Sequence, residues 1–447
     1  MFEGKSEQEA RAEILRSVRD YCDTYHNQGK AFEEGDRIPY ASRVYDHEEM
    51  VSLVDSALEF WLTAGRYTEQ FEQDLSEYLG VRFVSLCNSG SSANLLAFWA
   101  LTSHLLGDRR VLPGDEVITV AAGFPTTVAP IVQYGAVPVF VDVTLPTADI
   151  DVSLLEQALG PRTKAVMIAH TLGNPFDLKA VKEFCSRHGL WLVEDNCDAL
   201  GSRYTLDGET RFTGTIGDLG TSSFYPPHHM TMGEGGAVYT DNPLLGRIVR
   251  SLRDWGRDCV CPPGHDNLCG HRFDRQDGAL PPGYDHKYVY SHLGFNLKAT
   301  DMQAAVGVAQ LKKFPEFARL RREHFAYLKA ALWDCSERYI LPEATKDSDP
   351  CWFGFLLTVR GGLTRSEVVG HLEKHGVQTR MLFAGNLTKH PCFTDDAAME
   401  GRFRIASDLS VTEQIMADSF WVGVYPGMTE EKLAYMAKLL QEAAGKA

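Results

Sequence analysis

Three segments carry side chains that could do chemistry, and each directly follows a short apolar run. Asn88-Ser89-Gly90-Ser91-Ser92-Ala93-Asn94 leads into the helical run Leu95–Leu106. Its small residues leave backbone N–H groups open at a helix N-terminus, a natural cradle for a phosphate, although the same residues also make an N-cap and a tight turn. Trp191-Leu192-Val193-Glu194-Asp195 ends in carboxylates at the strand end where α/β sheets bind ligands. An aspartate there could hold a ring nitrogen protonated, or cap a helix. Gly123-Phe124-Pro125-Thr126 follows a third run, and Phe124 could lie over a planar cofactor or fill the core.

A fourth segment is cysteine-rich: Cys259 and Cys261 flank one residue, and Cys269 follows eight positions on. Thiols this close together suit a metal or cluster better than a core, where cysteine usually occurs singly. Four ligands are needed for an iron–sulfur cluster, and four thiolates would equally satisfy tetrahedral zinc. His265 and His271 lie nearby as substitutes.

The elements that must position these groups follow from periodicity. Seven apolar runs alternate with helix-length segments: Val81–Cys87, Glu116–Ala121, Val137–Val143, Ala165–His170, Leu190–Glu194, Thr221–Tyr225 and Ala237–Thr240. Such alternation predicts a mostly parallel sheet wrapped by helices, with ligands at the carboxyl ends of its strands. Residues 1–40 read as a helical extension, with Ile14, Val18, Tyr21 and Tyr25 on one face, and residues 41–320 as the large domain. Within it, 258–290 is a long irregular loop of the kind that is usually functional. Helices are expected at Ala299–Phe314 and Glu316–Trp333. Residues 321–447 read as a small α+β domain with a strand at Phe353–Val359 and helices at Arg365–His375 and Glu430–Ala444.

Composition narrows the function. The 447 residues are 44% hydrophobic and 23% charged, an ordinary globular mixture. With 44 Lys and Arg against 60 Asp and Glu the net charge is −16, which argues against a phosphate-backbone binder and leaves no nucleic-acid role. No apolar run reaches the roughly 18 residues that span a bilayer, and the first residues lack a signal-peptide layout, so a cytoplasmic chain without a membrane role is expected. Its 10 cysteines are too few for a disulfide scaffold and should be thiols in a reducing compartment.

The strongest resemblance runs through Ser222-Ser223-Phe224-Tyr225-Pro226-Pro227-His228-His229-Met230-Thr231-Met232-Gly233-Glu234-Gly235-Gly236. Together with the segments above, it resembles the DegT/DnrJ/EryC sugar aminotransferases, which use pyridoxal phosphate on the aspartate-aminotransferase fold (fold type I). In that family a lysine before Gly-Glu-Gly-Gly forms the Schiff base, and here the position is His228. An imidazole forms no stable linkage of that kind, so the resemblance implies pyridoxamine phosphate held noncovalently, with histidine free to shuttle protons. This narrows it to the pyridoxamine-dependent 3-dehydratases of nucleotide-linked 4-keto-6-deoxyhexoses, in particular a CDP-6-deoxy-4-ketohexose 3-dehydratase-like branch. Tyr284–Tyr288, Gly294–Ala305, Leu382–Leu387 and Phe420–Gly427 extend the match from about residue 40 onward.

The resemblance implies a large mostly parallel seven-stranded sheet domain, a small C-terminal domain and a homodimer. It places Ser91, Ser92 and Ser223 at the cofactor phosphate, Phe124 on its ring, Asp195 at the pyridine nitrogen and Asn296 at the neighbouring subunit's phosphate. His228 would take a proton from the cofactor's carbon 4′, and Arg380 and Asn386 would contact the nucleotide-sugar substrate. One branch carries a [2Fe–2S] cluster, which implies Cys197, Cys259, Cys261 and Cys269 as ligands. Its electrons would come from a flavin and iron–sulfur NAD(P)H reductase or a ferredoxin-type donor. Two alternatives remain: a cluster-independent dehydratase that regenerates pyridoxamine from glutamate, and an inactive sugar-nucleotide sensor with structural zinc.

Overall fold

The computed structural model describes residues 2–26, 29, 31–268 and 270–446. The strands are β1 (Phe83–Cys87), β2 (Glu116–Val120), β3 (Val137–Val141), β4 (Thr163–Ala169), β5 (Trp191–Asp195), β6 (Arg203–Leu206), β7 (Glu209–Phe212), β8 (Leu219–Ser223), β9 (Gly236–Thr240), β10 (Tyr339–Ile340), β11 (Ser348–Asp349), β12 (Gly354–Val359), β13 (Arg404–Ile405) and β14 (Ser419–Gly423). Among the described residues they form an eight-stranded sheet in the order β1-β9-β8-β5-β4-β2-β3-β13, and two three-stranded sheets, β10-β12-β14 and β11-β6-β7.

In the large sheet β9 runs antiparallel to both β1 and β8, and the other pairs are parallel. Most of its central strands, such as β2, β3 and β4, are apolar on both faces because both faces are covered. β4 sends Ala165 and Met167 to the core beneath the helices Gly90–Ala100 and Pro243–Arg253, and Val166 and Ile168 to the core beneath Leu178–His188. Continuous burial of this kind is what parallel sheets require. Each of the seven apolar runs becomes a strand of this sheet.

Two expectations need correcting. The sheet has an eighth strand, β13, which comes from the C-terminal part of the chain and pairs parallel with β3. At two residues it is too short to show a periodicity. The two helices expected on either side of Pro315 are one helix, Asp301–Ala331, with that proline inside. The ring removes one backbone donor, but Phe314, Phe317 and Ala318 around it are buried, and their packing holds the helix through the defect. Thr300 starts the helix with a capping box shared with Gln303.

No helix among the described residues is long and apolar enough to cross a membrane.

Candidate active site

The carboxyl ends of β1, β4, β5 and β8 open into a cavity of about 390 Å³ lined by, among others, Ser91, Asp195, Ser223, His228 and Arg380. This is the edge at which the strand directions predict a ligand.

Its floor is the turn from β1 into the helix Gly90–Ala100. Ser89 caps that helix, its hydroxyl accepting from the Ser92 N–H at 3.1 Å. A Cβ at Gly90 would stand 2.4 Å from Ser223 Cβ and 3.1 Å from Cys197 Sγ, so β8, the segment after β5 and the helix N-terminus meet where only glycine fits. Ser91 and Ser223 line the cavity beside this helix N-terminus, where an anion is favoured. Ser92 departs from expectation: it does not line the cavity, and its hydroxyl accepts from that of Ser89 at 3.0 Å as part of the cap.

Asp195 ends β5 with its carboxylate fixed in place. Oδ2 accepts from Asn94 Nδ2 and Thr127 Oγ1, both at 2.7 Å, and Oδ1 from the Cys197 N–H at 3.1 Å. Behind it, Glu194 and His170 form a fully buried pair at 2.9 Å. Burial alone would raise the Glu194 carboxyl, but His170 and the Gly217 and Gly214 amides hold it below its ordinary value. Phe124, 48% exposed, stands at the cavity rim, edge-on to Phe383.

His228 occupies the wall. Its Nε2 lies 3.3 Å from Asp198 Oδ1, and its ring packs on Phe353 with centroids 5.4 Å apart. Burial pushes the Asp198 carboxyl up, with the His228 contact pulling the other way. Among the described residues that line the cavity there is no lysine. Arg380 also lines the cavity, its guanidinium 4.0 Å from the centre of the Tyr40 ring, which in turn packs edge-on against Trp421.

Other expected residues fall elsewhere. Asn386 is 1% exposed and does not line the cavity; it accepts from the Thr388 N–H and donates to Glu413 at 2.6 Å, so it caps a turn and is closed to substrate. Asn296 lies outside its own chain's cavity and accepts from Lys298 Nζ at 2.6 Å.

The cysteines divide. Cys197 lines the cavity, with burial pushing its thiol well above the ordinary value. Cys259 and Cys261 sit in the loop after Asp258, whose carboxylate is pinned by Arg247, Arg275 and His286. Between them Val260 lines a separate cavity with Arg82 and Phe83, at the opening residue of β1. Cys269 lies outside the described residues. Among the described residues no three His, Cys, Asp or Glu side chains converge as a metal site, so Cys197 is not brought to Cys259 and Cys261 as the four-ligand expectation required.

Sequence reasoning gave no role to Asn94, Thr127 or Asp198. Asn94 closes the segment Asn88–Asn94, and Asp198 lies three positions beyond Asp195; that spacing from Ser91 and Asp195 is the available signal. Thr127 comes from the first turn of the helix Pro125–Tyr134 after β2 and left none.

These residues fit a pyridoxamine or pyridoxal phosphate. A pinned carboxylate can face a ring nitrogen, a helix N-terminus with two serines can take a phosphate, and an aromatic ring stands at the rim.

The chain is 52% identical over 410 residues to the lipopolysaccharide biosynthesis protein RfbH of Salmonella typhimurium, covering 91% of this chain and 92% of that one. It is 48% identical over 441 residues to a dTDP-4-dehydro-2,6-dideoxy-D-glucose 3-dehydratase of Saccharopolyspora spinosa, covering 98% of this chain and 93% of the relative. Among solved structures, an E. coli GDP-4-keto-6-deoxy-D-mannose-3-dehydratase with bound hydrated PLP superposes with a TM-score of 0.79 at 26% identity, covering 91% of this chain and 99% of that one. The fold is that of the PLP-dependent fold type I enzymes. Residues 44–441 match the DegT/DnrJ/EryC1/StrS aminotransferase family, and the chain belongs to it.

Proposed function

We propose that this protein is a pyridoxamine-phosphate-dependent 3-dehydratase of a nucleoside-diphosphate-linked 4-keto-6-deoxyhexose. The observation that carries this reading is a cavity lined by His228 and, among the described residues, by no lysine. The cofactor, when bound, supplies an amine for the sugar's keto carbon and a protonated ring that draws electrons away from carbon 4′. Asp195 keeps that ring protonated, Ser91 and Ser223 hold the phosphate, and Phe124 covers the ring. His228 would take the proton at carbon 4′ and deliver one to the carbon-3 hydroxyl, which would leave as water with the electron pair of its C–O bond. Histidine suits this role because it gains and loses a proton near neutral pH.

The working unit in this reading is a homodimer. Asn296, which is turned away from its own cavity, reaches the phosphate site of the partner subunit.

The test is turnover of dTDP- and GDP-linked 4-keto-6-deoxyhexoses by protein loaded with pyridoxamine phosphate, with loss of the carbon-3 hydroxyl followed by mass spectrometry. Dehydration that vanishes without the cofactor supports the reading. Amino transfer in place of dehydration overturns it.

A second reading adds a [2Fe–2S] cluster and an external reductase, carried by the close spacing of Cys259, Cys261 and Cys269. The described side chains do not assemble the donor set, and the dehydration above needs none of them. Iron and sulfide assays with an EPR spectrum after dithionite decide it. Zinc alone, or no metal, removes the cluster.

A further inference from the structure

Arg321 is 1% exposed and heads the large side chains that are fully buried. It lies on the long helix Asp301–Ala331 and does not line the cavity, yet its hydrogen bonds converge on the cavity wall. Nη2 donates to the carbonyl of His228 at 3.1 Å, and Nη1 to those of Trp352 and Phe353 at 3.3 and 3.4 Å. The guanidinium therefore grips the backbone of His228 and the backbone that carries the ring packed against His228. Its carbon stands 5.8 Å from the centre of that Phe353 ring.

The neighbouring residue ties the same two segments together a second time. His229 is buried and donates from Nε2 to the Cys351 carbonyl at 2.7 Å, and its ring also packs on Phe353. Residues 228–229 are thus laced to residues 351–353 by polar bonds, with the arginine as the central knot.

Packing alone does not explain this residue. Among the described residues Arg321 makes no ion pair with a carboxylate, and its Nε has no hydrogen-bond partner. Burial lowers the guanidinium to about 10, which leaves it a cation at neutral pH. Asp198 favours the cation from beyond ion-pair distance, but burying a charge without a directly bonded carboxylate is costly, and an apolar side chain of similar length would fill the space without that cost. What only the planar fork provides is several donors at fixed angles from one group.

We propose that Arg321 is a positioning residue for His228, holding the backbone and the ring shelf of the base so that the imidazole meets the reacting carbon. This deepens the dehydratase reading and rests on it. Misplacing a catalytic group by about 1 Å can cost about 100-fold in rate, so the brace should show in the chemical step and not in cofactor binding.

The test compares full-length R321M and R321Q with wild type in three measurements. The first is the affinity for pyridoxamine phosphate, followed by absorbance. The second is exchange of the carbon-4′ proton into deuterated water in the presence of dTDP-4-dehydro-2,6-dideoxy-D-glucose. The third is the rate at which diethyl pyrocarbonate modifies His228, read from its peptide by mass spectrometry. For R321M the expected result is cofactor affinity within about threefold of wild type, exchange slowed about 10- to 100-fold, and His228 modified about fivefold faster or more. R321Q, which keeps an amide donor, should fall between. A folded R321M that binds cofactor normally and matches wild type in either exchange or modification overturns the proposal. If R321M does not fold, the same criteria apply to R321Q. Absence of exchange in the wild type would sink the dehydratase reading, while the modification rate still decides the role of Arg321.

Discussion

Asp198 Oδ1 stands 3.3 Å from His228 Nε2, a carboxylate from the turn after β5 meeting an imidazole from the segment after β8. The contact fixes the ring's direction, and Phe353 fixes its plane. Asp198→Ala should lower turnover about 10- to 100-fold and leave cofactor affinity nearly unchanged, a split that steady-state kinetics and absorbance titration will show.

Among the described residues no lysine lines the cavity, and on the proposed reading His228 takes the place of the Schiff-base lysine. His228→Asn should reduce dehydration by about 100- to 10,000-fold, the range attributed to a positioned acid–base group. His228→Lys should instead allow pyridoxal phosphate to be fixed to the chain by borohydride, with the label on the peptide that carries position 228.

Gly90 is where three segments touch. A methyl group there would press on Ser223 and Cys197 at distances of 2.4 and 3.1 Å. Gly90→Ala should cost about 1–3 kcal/mol of stability through overpacking and weaken cofactor binding, since the phosphate cradle must open to admit it. Thermal melting with and without pyridoxamine phosphate separates the two effects.

Asp55 anchors the N-terminal helix Glu7–Tyr25 through Arg11 and also binds Arg66 and Tyr67. Burial alone would raise its carboxyl, but those donors outweigh it and hold the group at about 2, against an ordinary 3.8. A depressed carboxyl adds stability that is fully present above its ordinary value and is lost as pH falls through the folded value. Wild type should therefore lose stability between pH 3.8 and about 2 by an increment that Asp55→Asn lacks, as denaturant melts across that range will show.

The sheet was legible because strands buried on both faces are apolar throughout, and such runs stand out between helices. What lacked length or local pattern did not show. β13 has two residues, and Pro315 reads as a break because its cost is local while the packing that overrides it is not. At the site, Ser91, Phe124, Asp195, Ser223, His228 and Arg380 all reach the cavity. Ser92 and Asn386 do not, because serine and asparagine cap backbone as readily as they bind ligands and a sequence does not distinguish the two uses. Arg321 was invisible for another reason: it lies 93 positions from the histidine it contacts and resembles any other arginine on an amphipathic helix.

β13 also bears on how the molecule is made. The strand that covers β3 is supplied at Arg404 and Ile405, and Arg404 adds an ion pair to Glu116 on β2. A nascent chain emerging from the ribosome therefore completes most of its sheet long before the covering strand arrives. In that interval β3 presents unpaired backbone groups to its surroundings, the kind of edge that recruits strands from other chains. That edge closes only when Arg404 and Ile405 dock beside Val139 and Phe140.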